Sequence, residues 1–94
     1  MESLYSPNTY PPAVRNQIER LGPLAVEIAN RWLRGWPKAV KEHLRTGDYM
    51  EFLKAQAERE REAYSQPGNN HLARHEIAEL YDLSPKPPMP EIID

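Results

Sequence analysis

Five basic residues lie within positions 31–45, where Glu42 is the only acidic residue, and two tryptophans lie among them. Clustered cations attract carboxylates or phosphates, and aromatic rings beside them stack on bases or pack against a partner protein. A solvated helix face without a partner is the alternative for the same cluster. We predict a partner-binding patch composed of six residues: Arg31, Arg34, Trp36, Lys38, Lys41 and Arg45.

A second pattern lies near the C-terminal end, where residues 75–85 read HEIAELYDLSP. This stretch resembles the first helix and turn of helix-turn-helix DNA-binding proteins. The resemblance implies that a second helix follows and enters the major groove. Residues 86–90 read KPPMP, however, and proline is excluded from a helix interior. We therefore predict an amphipathic helix and a turn without a recognition helix.

His71, His75 and Glu79 recur every four positions, the spacing at which side chains share one helix face. Two histidines one turn apart can share a zinc ion. Position 72 is Leu, where a zinc hydrolase carries Glu directly after its first histidine, and no spacing indicates a fourth ligand. We therefore expect exposed surface histidines, with no metal and no other cofactor.

No set of side chains converges on a catalytic site. The chain has no cysteine, which excludes a thiol nucleophile, a disulfide framework and Cys-type metal sites. It has no glycine-rich phosphate loop, and its carboxylates are spaced to pair with Arg and Lys along helices. We predict a protein that is not an enzyme.

Composition indicates a folded chain with a thin core. Leu, Ile, Val and Phe account for 18 of the 94 residues, close to the level below which chains tend to be disordered. The net charge of −2 is not the large charge that disorder also requires. The first residues lack a basic segment followed by an apolar run, and no apolar run could span a bilayer. We therefore expect a small soluble cytoplasmic protein.

Prolines and glycines mark the ends of the predicted helices, because proline favours a first helical turn and glycine a position just after the last. No segment alternates apolar and polar residues as a strand would. The prediction is an all-α protein, a small bundle of four to five short helices with extended N- and C-terminal arms. Its parts are an extended arm at 1–10, a helical domain at 11–84 and a proline-rich tail at 85–94.

The fourth and fifth helices carry the most specific structural predictions. We expect the fourth to run from about Tyr49 to Ser65, after a near-capping box of Asp48 and Glu51. Its charged run at 58–62 is expected to be solvated, and the alternative is that this run forms the rim of a contact with another subunit's helix. The fifth should span about 71–82. Its predicted inward side chains are Ala73, Ile77, Leu80 and Tyr81, and Trp32 of the second helix is predicted to be core.

The thin core also predicts self-association. A monomer would leave one flank of the fourth helix poorly covered, and a closed dimer is the commonest oligomer. The residues assigned to this interface are Tyr49, Phe52, Leu53 and Ala57. The apolar residues of the tail, Met89, Ile92 and Ile93, are expected to lie on the domain or on a neighbour.

These observations favour a small non-catalytic module for protein–protein interaction or regulation, which forms a homodimer. The alternative is an accessory protein that binds nucleic acid through the basic patch at 31–45. Steep loss of affinity with added salt would favour the alternative.

Overall fold

The computed structural model describes residues 3–69 and 71–88, and this part of the chain contains helices and no strand. The prediction of an all-α bundle is confirmed. Two 3-10 turns, Pro7–Thr9 and Pro67–Asn69, accompany the α-helices. The five α-helices in chain order are α1 (Pro12–Leu21), α2 (Pro23–Gly35), α3 (Pro37–Thr46), α4 (Tyr49–Tyr64) and α5 (Arg74–Leu80).

Proline and glycine set the boundaries of the first three helices, as predicted. α1, α2 and α3 each begin with a proline, whose missing N–H would have no partner in a first turn anyway. Gly22 follows α1 with a φ of 101°, and Gly47 follows α3 with a φ of 88°. Both values lie in the left-handed region that a side chain disfavours, so these two positions turn the chain sharply between helices.

α2 lies at the centre of the core and packs against α1, α3 and α4. Trp32 is fully buried on it, which confirms the prediction that this residue belongs to the core. The edge of its ring meets Tyr49 of α4 at a centroid distance of 6.1 Å, and Tyr49 in turn lies 5.8 Å from Tyr10. Three aromatic residues therefore join the arm, α2 and α4.

The N-terminal arm is attached to α2 through Asn30, which is 1 % exposed. The Tyr5 N–H donates to Asn30 Oδ1 at 2.6 Å, and Asn30 Nδ2 donates to the Ser3 carbonyl at 2.8 Å. Leu4, which lies in the chain between Ser3 and Tyr5, packs against the core. The described part of the arm thus lies on its own domain, and it bends at Tyr5 and Ser6 before the turn at Pro7–Thr9.

α4 has nearly the predicted bounds, but it begins without the predicted capping box. The Asp48 side chain makes no bond to the first turn of α4. Its Oδ1 instead lies 3.1 Å from His43 Nδ1 and accepts a hydrogen bond from the Thr46 hydroxyl at 2.9 Å. These contacts with the end of α3 occupy the Asp48 carboxylate, so it does not cap α4.

α5 is shorter than predicted, because it begins at Arg74 rather than near His71 and ends at Leu80. Glu76 caps its start by accepting a hydrogen bond from the Ala73 N–H at 3.1 Å. Asp82, with a φ of 53°, turns the chain after the helix. As predicted, no second helix follows within the described residues, which run on to 88 without helical structure.

The predicted inward face of α5 is wrong at three of its four positions. Ile77 is buried, but Leu80 is 65 % exposed, Tyr81 is 44 % exposed, and Ala73 is exposed as well. α5 packs mainly against α4, and a helix of this length places little of its surface against a single neighbour. Within the described residues no helix is long and apolar enough to cross a bilayer, and the cytoplasmic location stays a prediction.

Candidate functional site

The predicted basic patch occupies the outer face of α3 and the end of α2. Lys38, Lys41 and Arg45 are exposed at intervals of three and four positions, whereas Val40 and His43 on the opposite face are buried. This arrangement follows from the helical period, which separates the charged positions from the apolar ones. The helix therefore presents three cations to solvent on one side.

Two of the predicted cations form ion pairs within the protein, Arg45 at the surface and Arg31 with a buried carboxylate. Arg45 donates from Nε to both carboxylate oxygens of Glu42 at 2.9 Å, and these hydrogen bonds lower the pKa of the Glu42 carboxyl. In a second ion pair, Arg31 Nη2 lies 2.7 Å from Glu60 Oε2. Each guanidinium is therefore already paired with a carboxylate, although the Arg45 side chain is 65 % exposed.

Of the remaining members of the patch, Arg34 contacts an aromatic residue that the sequence did not assign to it. Arg34 lies over the Tyr5 ring, 4.8 Å from its centroid. Trp36 is half-buried between α2 and α3, and within the described residues Lys38 and Lys41 are exposed and form no ion pair. We call this surface the basic corner: Tyr5, Arg34, Trp36, Lys38 and Lys41.

Glu60 forms the centre of a polar network beneath the surface, with a side chain that is only 2 % exposed. Its carboxylate accepts hydrogen bonds from Arg31 at 2.7 Å, Gln56 at 2.7 Å and the Tyr64 hydroxyl at 3.1 Å. The prediction that the run at 58–62 is solvated is therefore wrong at Glu60. Its main partner lies 29 positions earlier in the chain, so no local spacing indicated the contact.

Burial and hydrogen bonding act in opposite directions on the Glu60 carboxyl. Burial raises its pKa, but the hydrogen bonds from Arg31, Gln56 and Tyr64 outweigh burial and hold the pKa below its usual value. For the Tyr64 hydroxyl, burial and the Glu60 charge both raise the pKa. Glu60 is thus an anion and Tyr64 a neutral donor near neutral pH.

Residues 84–88, which we call the strap, cross this network and α3. Gln56 Nε2 donates to the Ser84 carbonyl at 3.4 Å, and Arg31 Nε donates to the Pro85 carbonyl at 3.2 Å. His43 Nε2 is hydrogen-bonded to the Pro88 carbonyl. Three residues of the strap are prolines, which lack an N–H, so in these hydrogen bonds the domain supplies the donors and the strap the carbonyl acceptors. Pro87 is also buried.

Two pockets flank the strap. One of about 380 Å³ lies between α4 and the strap and is lined by Arg59, Tyr81 and Lys86 among others. The other, of about 330 Å³, borders the polar network and includes His75 and Glu79. His71 precedes α5, so the predicted single helix face of His71, His75 and Glu79 does not form. Within the described residues no group of three His, Cys, Asp or Glu side chains is placed to hold a metal ion.

The residues assigned to self-association lie mostly inside the monomer. Tyr49, Leu53 and Ala57 are at most 2 % exposed, and Phe52 is half-buried against His43. The expectation that a monomer leaves this flank uncovered is wrong, because α4 packs against α1, α2 and α3 at once. Self-association itself stays a prediction, which light scattering from low to high micromolar protein would test.

The chain matches no protein-family model, no curated protein and no solved structure. Its class is therefore given by the fold and by the surfaces described above: a small all-helical domain with a basic corner and a strap. The predicted tail contacts of Met89, Ile92 and Ile93 lie outside the described residues.

Proposed function

We propose that the protein is a non-catalytic interaction module that binds an acidic segment of a partner protein on the basic corner. The supporting observation is the distribution of charge after folding. Arg31 and Arg45 are neutralised by Glu60 and Glu42. Arg34, Lys38 and Lys41 form no ion pair within the described residues. Arg34 lies over the exposed Tyr5 ring, and Trp36 lies in the chain between Arg34 and Lys38.

The same surface suits a protein better than a nucleic acid. Affinity for nucleic acid rises with the number of phosphates that cations neutralise, and only three unpaired cations remain on the corner. The overall charge of −2 also opposes a polyanion. Arg, Trp and Tyr are the residue types that dominate binding energy at protein interfaces, and the corner contains one of each.

The corner is held in place before any partner binds. Tyr5 is fixed through its N–H to the buried Asn30, and Trp36 lies in the turn between α2 and α3, four residues after the buried Trp32. A surface that is already ordered loses less conformational entropy on association. These contacts favour recognition by a preformed site.

The test is a charge reversal, Lys38→Glu with Lys41→Glu. The probe is a fluorescein-labelled peptide of alternating Glu and Leu, and binding is followed by fluorescence anisotropy at low salt. Both lysines are exposed opposite the buried side of α3, so we expect an unchanged helical circular dichroism spectrum. We expect affinity for the peptide to fall about tenfold or more, because like charges then face the peptide.

The matched control is Lys54→Glu with Arg61→Glu, which makes the same change in net charge on exposed positions of α4. This control should retain most of the affinity. Equal losses of affinity in the two double variants would refute specific binding at the basic corner. Tighter, steeply salt-dependent binding of a single-stranded or duplex oligonucleotide than of the peptide would instead support the nucleic-acid alternative and overturn the proposal.

A further inference from the structure

His43 lies where α3, α4 and the strap meet, with a side chain that is 5 % exposed. Nδ1 lies 3.1 Å from Asp48 Oδ1, and Nε2 is hydrogen-bonded to the Pro88 carbonyl. The Phe52 ring packs against the imidazole with centroids 4.9 Å apart. A half-turn of the imidazole would place carbon atoms on both oxygens, so the two contacts fix its orientation.

Both partners of the ring can only accept hydrogen bonds. A carbonyl oxygen has no proton to give, and the Asp48 carboxylate already accepts from the Thr46 hydroxyl at 2.9 Å. A neutral imidazole has one N–H and one lone pair, whereas a protonated imidazole has two N–H donors. The two observed contacts are therefore both satisfied only when His43 carries its second proton.

We propose that His43 and Asp48 form a proton-dependent latch for the strap, closed when His43 is protonated and open when it is neutral. When the second proton leaves, the remaining N–H stays at Nδ1, because hydrogen bonds to an ionised acceptor are the stronger ones. The lone pair of Nε2 then faces the Pro88 carbonyl and repels it. The closed latch binds one proton more than the open latch, so raising the pH opens it.

Within residues 3–69 and 71–88, the charged groups that face His43 come from its own segment, namely Asp48 and Glu42, and Glu42 is paired with Arg45. α4 contributes the uncharged Phe52 ring, and the strap contributes an uncharged carbonyl.

Opening affects one end of the strap and leaves the other end attached. Ser84 and Pro85 are held by Gln56 and Arg31, whose donors do not titrate near neutral pH. Pro88, which lines the pocket of about 380 Å³ together with the buried Pro87, loses its hydrogen bond to the domain. Neutral His43 therefore widens that pocket from one side.

The experiment follows the strap with a spin label. The chain has no cysteine, so Lys86→Cys, at an exposed strap position, provides a single labelling site. His71→Gln and His75→Gln leave His43 as the only histidine of three. In this background we expect the ratio of immobilised to mobile label to fall about tenfold between about pH 5 and pH 8.5, because a hydrogen bond from a charged donor is lost. This is the range in which an imidazole loses its proton.

Two substitutions at His43 distinguish the contribution of Nε2 from that of Nδ1. The side-chain amide of Gln reaches the position of Nε2, so His43→Gln should hold the label at every pH. The shorter Asn reaches only the position of Nδ1, so His43→Asn should leave the label mobile at every pH. Asp48→Asn should also keep the strap held, because an amide N–H can donate to Nδ1 and leave the single imidazole proton at Nε2.

Nitrogen NMR of the imidazole provides the second measurement and does not depend on the folding of any variant. We expect both ring nitrogens to carry protons while the label is held, and Nδ1 alone when it is mobile. A neutral ring with the strap held would overturn the proposal. So would an unchanged label from about pH 5 to pH 8.5, or the same pH dependence in His43→Gln.

Discussion

α2 and α5 are attached to the protein by different kinds of contact. α2 buries seven of its thirteen residues and packs against three other helices, whereas α5 buries only Ile77 among its seven. Besides the buried Ile77, α5 is held by Arg74, which lies 2.6 Å from Glu27 and over the Tyr64 ring at 5.0 Å. Extensive apolar burial positions the first helix, whereas one buried side chain and exposed polar contacts position the second.

This difference implies two levels of stability in one small domain. Apolar burial contributes about 25 cal/mol for each Å² removed from water, but an exposed ion pair contributes only about 0–1 kcal/mol. Segments with few buried contacts open locally at a lower free energy than the core. α1–α4 should therefore unfold together, and α5 should open first.

The largest expected effect is in the core. Trp32→Ala removes a fully buried ring and should lower the free energy of unfolding by about 3–5 kcal/mol, as measured by urea denaturation. Trp32→Phe is the control and should lower the free energy of unfolding clearly less. It keeps an aromatic ring, and the indole N–H that it removes has no hydrogen-bond partner within the described residues. A Trp32→Ala protein as stable as the parent would remove the distinction between α2 and α5.

An intermediate effect is expected at Glu60, which joins α4 to α2. Glu60→Gln keeps the shape but removes the charge that Arg31 pairs with, and should cost about 1–3 kcal/mol at pH 7. The pKa of Glu60 is lowered in the folded protein. The stabilisation by its charge is therefore present above the unfolded pKa of about 4.3 and is lost as the pH falls through the folded value.

Urea denaturation of both proteins at pH 7 and in acid tests this prediction. The stability difference between the parent and Glu60→Gln should shrink as the pH falls below about 4. Effects of the other carboxyl groups cancel in the comparison, since both proteins contain them. A difference that stays constant with pH would show that the charge of Glu60 contributes nothing.

The smallest effect is expected on α5. Arg74→Ala removes the ion pair with Glu27 and the contact with Tyr64, yet the Arg74 side chain is 59 % exposed, so global stability should change by about 0.5 kcal/mol or less. Amide hydrogen exchange should nevertheless accelerate in α5 and stay unchanged in α2. Arg61→Ala, at an exposed position of α4, is the control and should leave both helices unchanged.

Local signals predicted most of the fold. The prolines that begin α1, α2 and α3 and the glycines that follow α1 and α3 act within one turn of the chain, so the sequence shows them directly. At the end of α2, Gly35 is the last helical residue and Trp36 is the cap. The stripe of Leu24, Ile28 and Trp32 likewise placed Trp32 in the core. At α5 the period of apolar residues suggested burial that no neighbouring helix supplies, and Leu80 and Tyr81 are exposed.

The candidate site was less accessible to prediction because its contacts join distant parts of the chain. Arg31 meets Glu60 across 29 positions, and His43 meets Pro88 across 45. Spacing along a helix identified Lys38 and Lys41 as exposed cations, but not that Arg31 is neutralised or that Tyr5 joins the corner. Periodicity reveals which face a residue occupies and says nothing of which residue lies opposite.

The composition of the strap has a consequence for how this protein behaves in concentrated solution. An extended segment on a protein surface usually exposes a row of N–H and C=O groups on which another chain can form a β-ladder, the first step of aggregation. Of residues 85–88 only Lys86 retains an N–H, and it donates to the Ser84 hydroxyl at 3.2 Å. With three prolines and a Lys86 N–H that is already bonded, the strap offers few donors on which a second chain could build a ladder.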